Sequence, residues 1–416
     1  MTLAMLGGEP VKTRPFPPWP QYDEREEKAL LEVLHSGVWW RTPGTKTLEF
    51  EQKFAAYHQA KHGIACTNGT AALEMVIAGL GIGLGDEVIV PDFTFVASAS
   101  AVLFAGAMPV FVDIDPDTFA IDPNQIEAAL TPRTKAVIAV HLGGHPADLD
   151  RLQEICRIHN LHLIEDCAHA HGSEWKGRKV GTFGSAGTFS FQASKLLTAG
   201  EGGIVITEDD NLEVRFRATH DCGRMPGQWF YSHYIYGSNY RLSEWQGAIL
   251  TQQLSRLDEQ QAVRQENAAL LDRLLPEIGG IRPQALDPRV TCNGRYCYIF
   301  HYEPEAFAGL SAERFIQALN AEGIPTQASY PPVHQLDVFQ NNEFRRRLAP
   351  EHARDPFEFL KGEYPVTQEA AANTVWLVHA CLLGDERDTL EIVESIKKIQ
   401  RHAKELAAAY QEERTQ

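Results

Sequence analysis

One lysine stands where a reactive amine is expected. Lys195 lies shortly after the apolar run 188–191, in a loop of small residues, and glycines at 200, 202 and 203 follow it. A lysine on a solvated surface needs no such surroundings, whereas partial burial lowers the pKa of the amine. A neutral lysine amine can form a Schiff base with a carbonyl compound. Taken alone, the segment is equally compatible with a surface lysine before a glycine-rich hairpin.

A second candidate segment follows another apolar run. Glu165 and Asp166 end the run, and His169 and His171 come close behind. A carboxylate there can bind a metal, orient a histidine or pair with a buried cation, and the alternative is charge compensation at a helix N-terminus. The spacing does not supply a recognisable ligand set, so we predict no metal site.

The third segment is a turn that suits a phosphate. Gly69 follows the run 63–66 and allows a tight turn, and Thr70 offers a hydroxyl group. The free N–H groups of Thr70 and Ala71 would point outward at a helix start, which is a favourable place for an anion. The alternative is an ordinary strand-to-helix turn with a threonine cap.

Together the three segments indicate one cofactor, pyridoxal 5′-phosphate (PLP). The phosphate would lie on residues 69–71, and the carboxylate of Asp166 would hold a proton on the pyridine nitrogen because an opposite charge favours the protonated ring. Lys195 would carry the cofactor. The sequence therefore predicts an enzyme that uses this ring as an electron sink.

A sheet must position these segments, and the chain contains suitable strands. Seven short apolar runs end in turn residues and alternate with helix-like stretches. Runs of this kind are buried on both faces, as in a parallel sheet covered by helices. Ligands bind at the carboxyl ends of the strands in such α/β sheets, where all three segments fall. The runs are residues 63–66, 87–90, 109–112, 136–140, 162–165, 188–191 and 204–207.

The remaining chain predicts an N-terminal arm and a second domain. Prolines crowd the first 20 residues and exclude a helix interior or central strand there, and a helix is expected over 23–35. Further elements are predicted as a long helix over 243–274, a strand over 295–300 and an amphipathic helix over 388–410. The predicted units are an arm (1–22), a large cofactor-binding domain (23–269) and a smaller C-terminal α+β domain (270–416).

Composition excludes several classes of protein. The 416 residues include 38 Lys and Arg against 55 Asp and Glu, a formal net charge of −17. This charge is a poor match for nucleic acid or an anionic bilayer. We find no apolar run near the about 18 residues of a membrane span, no signal peptide pattern, and no Cys-x-x-Cys among seven scattered cysteines. We expect a globular protein of the cytoplasm that binds neither nucleic acid nor membrane.

Six motifs occur in order along the chain, at residues 85–91, 93–95, 165–172, 190–195, 200–203 and 237–244. Their order resembles that of the DegT/DnrJ/EryC1/StrS aminotransferases, the sugar and cyclitol branch of the fold-type I PLP enzymes. The resemblance extends through almost the whole chain. Some members carry a histidine at the lysine position and act as dehydratases, and the presence of Lys195 disfavours that branch.

The resemblance implies roles around the cofactor ring. Lys195 would form the Schiff base and move protons, and Asp166 would pair with the pyridine nitrogen. His169 would bond on the side of the ring hydroxyl. Phe95 would stack on one face of the ring and Ala168 would pack on the other.

The resemblance also implies a phosphate site shared between two subunits. Ser190 would hold the phosphate together with Gly69, Thr70 and Ala71. Asn239 matches a residue that reaches the phosphate from the neighbouring subunit, so the active unit would be a homodimer. The residues alone would suggest only a turn at Asn239.

The expected reaction is a ping-pong transfer of an amino group from L-glutamine or L-glutamate to a keto-cyclitol or keto-sugar. Segments 19–23, 36–41 and 376–384 are similar to those of glutamine-dependent scyllo-inosose and 2-deoxy-scyllo-inosose aminotransferases and of 3-amino-5-hydroxybenzoate synthase. An aromatising dehydration of the latter type is therefore an alternative, and a regulatory protein on the same scaffold is a third. The candidates for the substrate side, each also explicable as a packed or solvated residue, are Trp40, Arg41, His301 and His334.

Overall fold

The computed structural model describes residues 2–341, 348–349 and 362–415. Short strands alternate with helices up to residue 220, as the apolar runs predict. The strands are β1 (His62–Cys66), β2 (Glu87–Pro91), β3 (Met108–Val112), β4 (Thr134–Val140), β5 (His162–Asp166), β6 (Glu174–Trp175), β7 (Arg178–Lys179), β8 (Ala186–Ser190), β9 (Gly203–Thr207), β10 (Ile281–Pro283), β11 (Val290–Cys292), β12 (Cys297–Tyr302), β13 (Thr326–Ala328) and β14 (Thr374–Val378).

Helix ends follow local capping chemistry. The first long helix begins after Asp23, whose side chain accepts the N–H of Arg25, and ends at Gly37 in the left-handed conformation. The helices are α1 (Glu24–Ser36), α2 (Lys46–Tyr57), α3 (Gly69–Gly79), α4 (Ala97–Phe104), α5 (Pro123–Ile126), α6 (Leu149–His159), α7 (Asp210–His220), α8 (Glu244–Leu254), α9 (Leu257–Leu274), α10 (Ala312–Ala321), α11 (Asp337–Gln340), α12 (Pro365–Asn373), α13 (Glu386–Arg401) and α14 (Ala403–Thr415).

The seven predicted runs form one sheet in the order β1-β9-β8-β5-β4-β2-β3. The pairs β2–β3, β2–β4, β4–β5 and β5–β8 are parallel, and β9 is antiparallel to both of its neighbours. The prediction of a mostly parallel α/β sheet is confirmed. Since six strands run in one direction, their carboxyl ends share one edge of the sheet.

Both faces of this sheet are covered. Val88 and Val90 belong to one buried apolar cluster and Ile89, between them, to another. This alternation is expected because successive side chains of a strand point to opposite faces. Continuous apolar runs therefore mark strands that are covered on both sides, which is how the sequence revealed them.

The C-terminal part contains a second, antiparallel sheet in the order β10-β12-β14-β13. Tyr298 and Phe300 of β12 lie in an apolar cluster that also contains Ile396 of α13 and, from the arm, Leu3. Strand and helix are thus combined here as predicted. The proposed domain limits at 22/23 and 269/270 stay predictions. Within the part of the chain that is described, no helix is long and apolar enough to cross a membrane.

Three sequence predictions need correction. The long helix expected over 243–274 is two helices, α8 and α9, which are separated at Ser255 and Arg256. The final helix, predicted over 388–410, is also interrupted, at His402, and Leu390 within it is 44% exposed. The strand predicted over 295–300 begins two residues later, at Cys297.

Candidate active site

A cavity of about 830 Å³ lies at the shared carboxyl edge of the large sheet. Its walls come from the segments that follow β1, β2, β5 and β8, with further residues from the C-terminal part. Nine of the predicted cofactor residues line it together: Gly69, Thr70, Ala71, Phe95, Asp166, Ala168, His169, Ser190 and Lys195.

Asp166, the last residue of β5, presents a buried carboxylate to this cavity. Its Oδ2 accepts the hydroxyl of Ser98 at 2.9 Å, its Oδ1 accepts the N–H of Ala168 at 3.2 Å, and Ser98 Oγ lies 2.9 Å from Thr94 Oγ1. Burial raises the pKa of Asp166, opposed by these two hydrogen bonds and by the charge of Lys195. Among the described residues no basic side chain reaches ion-pair distance, so the carboxylate remains available to a cation.

Lys195 follows β8 in a tight turn, in which its N–H donates to the carbonyl of Gln192 at 2.8 Å. Its Nζ lies 4.3 Å from the ring centroid of Tyr296. Burial lowers the pKa of Lys195 from 10.5 to about 8, against the opposing effects of Cys297 and Asp166. A sizeable fraction of the amine is therefore neutral and nucleophilic near neutral pH.

The turn before α3 is arranged for an anion. Asn68 caps the helix by accepting the N–H of Ala71 at 2.8 Å, while the N–H groups of Gly69 and Thr70 donate to no described residue. The free donors are thus Gly69 and Thr70, and not Thr70 and Ala71 as the sequence suggested. A Cβ on Gly69 would lie 2.7 Å from the Cβ of Ser190, so glycine is needed for this close approach. The two free N–H donors of Gly69 and Thr70 and the hydroxyl of Ser190 thus lie together at the N-terminus of α3, where an anion can bind.

His169 lines the cavity in a fixed orientation. Its ring stacks on Tyr296 with centroids 4.0 Å apart, and its Nδ1 accepts the N–H of Gly143 at 3.3 Å. The proton of the neutral ring is therefore on Nε2, which lies 3.3 Å from Tyr330 Oη. Burial and the charge of Lys195 lower the pKa of His169, so the ring stays neutral.

Glu165 serves the fold and not the cavity. Three backbone N–H groups in the loop 181–184 donate to its carboxylate over 2.7–2.8 Å, and His141 Nε2 lies 3.2 Å away. Ligand atoms of Glu165, His141 and Cys167 lie within 4.8 Å of one another, a grouping that could hold a metal. The backbone donors already occupy the Glu165 oxygens, which accounts for this cluster without an ion.

Three predicted residues on or near the surface do not line the cavity within this chain. Asn239 is exposed, and its backbone pairs with that of Asp221. Trp40 is 44% exposed with the guanidinium of Arg241 5.6 Å from its ring, and Arg41 forms an ion pair with Glu51 at 2.8 Å. The sequence placed Trp40 and Arg41 on the substrate side, and in a single chain they lie elsewhere.

The two predicted substrate histidines are also held away from the cavity. His301 lies on β12 against Phe119, with ring centroids 4.6 Å apart. His334 is buried and bound through Nδ1 to Asp92 at 2.6 Å. His301 and His334 therefore do not line the cavity of the single chain, because ring packing holds the first and a hydrogen bond to Asp92 holds the second.

Sequence reasoning missed four residues that shape the site. Ser98 orients Asp166, and Tyr296, Gln327 and Tyr330 line the cavity from the C-terminal part. The four-residue spacing of Thr94 and Ser98 could have indicated a hydroxyl pair near the start of α4. No comparable signal exists for the other three, since their position depends on how the second sheet packs against the first.

Comparison with known proteins gives matches over nearly the whole chain. The model of the DegT/DnrJ/EryC1/StrS aminotransferase family matches residues 20–397. An L-glutamine:2-deoxy-scyllo-inosose aminotransferase of Streptomyces kanamyceticus is 42% identical, with 98% of each chain covered. A 3-amino-5-hydroxybenzoate synthase of Amycolatopsis mediterranei (strain S699) is 42% identical, over 92% of this chain and 97% of the relative.

Solved structures agree in fold. The crystal structure of a 3-amino-5-hydroxybenzoic acid (AHBA) synthase superposes with a TM-score of 0.85 at 41% identity, covering 93% of this chain and 99% of that chain. The predicted aminotransferase fold, with its large sheet and smaller C-terminal part, is confirmed. By its sequence, its fold and the span of the family match, the chain belongs to the DegT/DnrJ/EryC1/StrS aminotransferase family.

Proposed function

We propose that this aminotransferase uses PLP to transfer the amino group of L-glutamine or L-glutamate to a keto-cyclitol or keto-sugar. One observation carries the proposal. A helix N-terminus with free donors, a buried carboxylate without a cation and a lysine of lowered pKa line the same cavity. These three features suit the phosphate, the pyridine nitrogen and the aldehyde of PLP.

The residues of the cavity fit this cofactor on their own geometry. The N–H groups of Gly69 and Thr70, with the hydroxyl of Ser190 beside them, suit a phosphate dianion, and a Cβ on Gly69 would fill that cradle. Ala71 belongs to the same turn. The carboxylate of Asp166 suits a protonated ring nitrogen.

The chain's own residues divide the work of proton transfer. When bound, PLP supplies an electron sink for the pair left as the donor's α-C–H bond breaks. Lys195 Nζ would hold the cofactor and, once free, would carry that proton from the donor's α-carbon to the cofactor carbon that receives the amino group. Asp166 keeps the ring nitrogen protonated, while Phe95 and Ala168 would cover the two ring faces. His169, with its fixed neutral ring, would bond on the hydroxyl side.

The acceptor is proposed from the relatives and from the cavity wall. Several relatives at 42–43% identity are named L-glutamine:2-deoxy-scyllo-inosose aminotransferases. Glu74, Glu201 and Gln327 line the cavity and offer acceptors for the hydroxyl groups of a polyol. Lys195 is the one cation in the described part of the lining, which disfavours a nucleoside diphosphate group.

Aromatising dehydration is the second candidate. It is favoured by the 3-amino-5-hydroxybenzoate synthase relative at 42% identity and by the AHBA synthase structure. It would use the same cavity residues, so only the product separates the two reactions.

The active unit is proposed to be a homodimer in which Asn239 reaches the phosphate site of the partner subunit. Its exposed position in the single chain supports this arrangement. The preceding segment exposes Trp229 (70%), Tyr231 (68%) and Tyr236 (97%), and exposed aromatic surface of this kind marks protein contacts. Sedimentation should give twice the chain mass, and Asn239→Ala should weaken PLP binding in the dimer.

The decisive experiment follows the absorption of the PLP-loaded protein. A visible band of lysine-linked cofactor should move to the near ultraviolet with L-glutamine or L-glutamate, and scyllo-inosose or 2-deoxy-scyllo-inosose should restore it. Lys195→Ala is the control and should show no such band. A wild-type protein without the band after PLP is supplied would refute the cofactor. In the alternative outcome, the band stays unmoved by either donor while the protein forms an aromatic amine from the substrate of the second candidate reaction. That pair of results would refute amino transfer and support aromatising dehydration.

A further inference from the structure

The backbone just before Lys195 is held by side chains from distant parts of the chain. Trp19 of the N-terminal arm donates its Nε1–H to the carbonyl of Ala193 at 3.1 Å. His379, which follows β14, lies with Nε2 3.0 Å from the carbonyl of Ser194. The rings of Trp19 and His379 meet edge to face with centroids 4.5 Å apart, so both peptides are held by one aromatic pair.

A buried arginine stands behind this pair. Arg264 of α9 is fully buried, donates Nη2–H to His379 Nδ1 at 3.4 Å and lies 5.4 Å from the ring of Trp19. Its Nε and Nη1 have no hydrogen-bond partner, and no carboxylate of the described residues pairs with it. A buried cation without a carboxylate partner lowers the stability of the fold, so a role other than stabilisation is needed to explain Arg264.

The arrangement allows only one state of the histidine. The carbonyl of Ser194 can only accept, so the proton of His379 must be on Nε2, and the guanidinium of Arg264 can only donate, so Nδ1 must keep its lone pair. Burial and the neighbouring charge of Arg264 lower the pKa of His379. Arg264 therefore locks the histidine as a neutral donor toward the lysine loop.

We propose that Trp19, His379 and Arg264 are positioning residues for Lys195. They fix peptides 193 and 194 so that Lys195 Nζ stays over the ring of Tyr296 at the cavity. Arg264 acts through the tautomer of His379, and Trp19 supports the same loop from the arm. This inference rests on the proposed role of Lys195, and it explains why the arm and the C-terminal part converge on that loop.

Arg264→Met tests the proposal because it should change the position of Lys195 without lowering the stability of the protein. Removing an unpaired buried charge should leave the unfolding temperature unchanged or higher, while acylation of Lys195 in the cofactor-free protein should slow about tenfold for one lost hydrogen bond. Arg273→Met, on the exposed side of the same helix, is the matched control and should change neither value.

Two further variants keep the test decisive if Arg264→Met does not fold. Trp19→Phe removes the N–H donor together with the five-membered ring but keeps an aromatic side chain, and it should also slow acylation. His379→Leu should slow acylation, and His379→Gln, which keeps a donor and an acceptor, should restore it. Wild-type rates in Trp19→Phe and His379→Leu would overturn the proposal, as would rates that merely follow lost stability. If the proposed PLP-dependent transfer is wrong, the wild-type protein itself will fail to catalyse it. The acylation rates of Lys195 do not depend on that reaction and would still test the positioning role.

Discussion

The hydroxyl of Ser98 should control the charge of Asp166, and Ser98→Ala should reveal it. The hydroxyl donates to Asp166 Oδ2 at 2.9 Å inside the protein. A hydrogen bond to a charged group contributes about 1.5–3 kcal/mol, and one pKa unit corresponds to about 1.4 kcal/mol. Since this bond stabilises the carboxylate, its loss should raise the pKa of Asp166 further, beyond the increase that burial already causes.

The assay is the affinity for PLP measured across pH. Below its pKa, Asp166 is protonated and can no longer stabilise a protonated ring nitrogen, so affinity should fall as the pH decreases. In Ser98→Ala this fall should begin at a higher pH than in the wild type, and turnover at neutral pH should drop about ten- to hundredfold. Ser100→Ala is the control, because Ser100 lies in the same helix, is partly exposed and makes no side-chain hydrogen bond with a described residue.

Two results would refute this reasoning. An unchanged pH dependence in Ser98→Ala would mean that the bond does not set the charge of Asp166. An equal effect in Ser100→Ala would mean that helix α4 as a whole, and not the hydroxyl, is responsible. Thermal unfolding of both variants should show that each remains folded.

The rate of acylation of Lys195 in the cofactor-free protein, followed by mass spectrometry, should be half-maximal near pH 8. At pH 7 the neutral fraction of this amine should exceed that of an ordinary lysine roughly 300-fold. A midpoint near pH 10.5 would contradict the effect of burial. Gly69→Ala should weaken PLP binding about tenfold or more, because its Cβ would press on Ser190, whereas Gly83→Ala, with its nearest contact at 3.5 Å, should bind normally in the same titration. Glu165→Gln should lower the free energy of unfolding by about 2–3 kcal/mol, since an amide cannot accept all four hydrogen bonds, and an unchanged urea midpoint would disprove it.

The large sheet was predictable because its strands are buried on both faces. Each of the seven runs matches a strand whose start lies within two residues of the predicted one. Burial on both faces leaves a continuous apolar run in the sequence, and such a run can be recognised without knowing which strands lie beside it. The helix breaks at Ser255 and His402 were not predictable, since the apolar spacing continues through both positions.

The site was predictable where it depends on strand ends. Asp166 and Ser190 end two strands and Gly69 follows a third, and a common strand direction brings them to one edge. His301 and His334 have suitable chemistry but are held elsewhere, by ring packing and by a hydrogen bond to Asp92, and the local sequence does not encode these contacts. Residue type alone is therefore a weak guide to a substrate site, and position relative to a strand end is a stronger one.

The number of hydrogen-bond donors around each buried carboxylate distinguishes Asp166, the proposed partner of the cofactor ring, from its neighbours. Glu165 is satisfied by three backbone N–H groups, Asp92 by His334, and Glu51 by arginine. Asp166 has only a hydroxyl and one N–H, and it alone of these faces the cavity. A buried carboxylate left this way costs stability until a cation pairs with it. A cationic ring nitrogen would pair with this carboxylate and offset the lost stability. The same feature that destabilises the cofactor-free protein would therefore strengthen the binding of PLP.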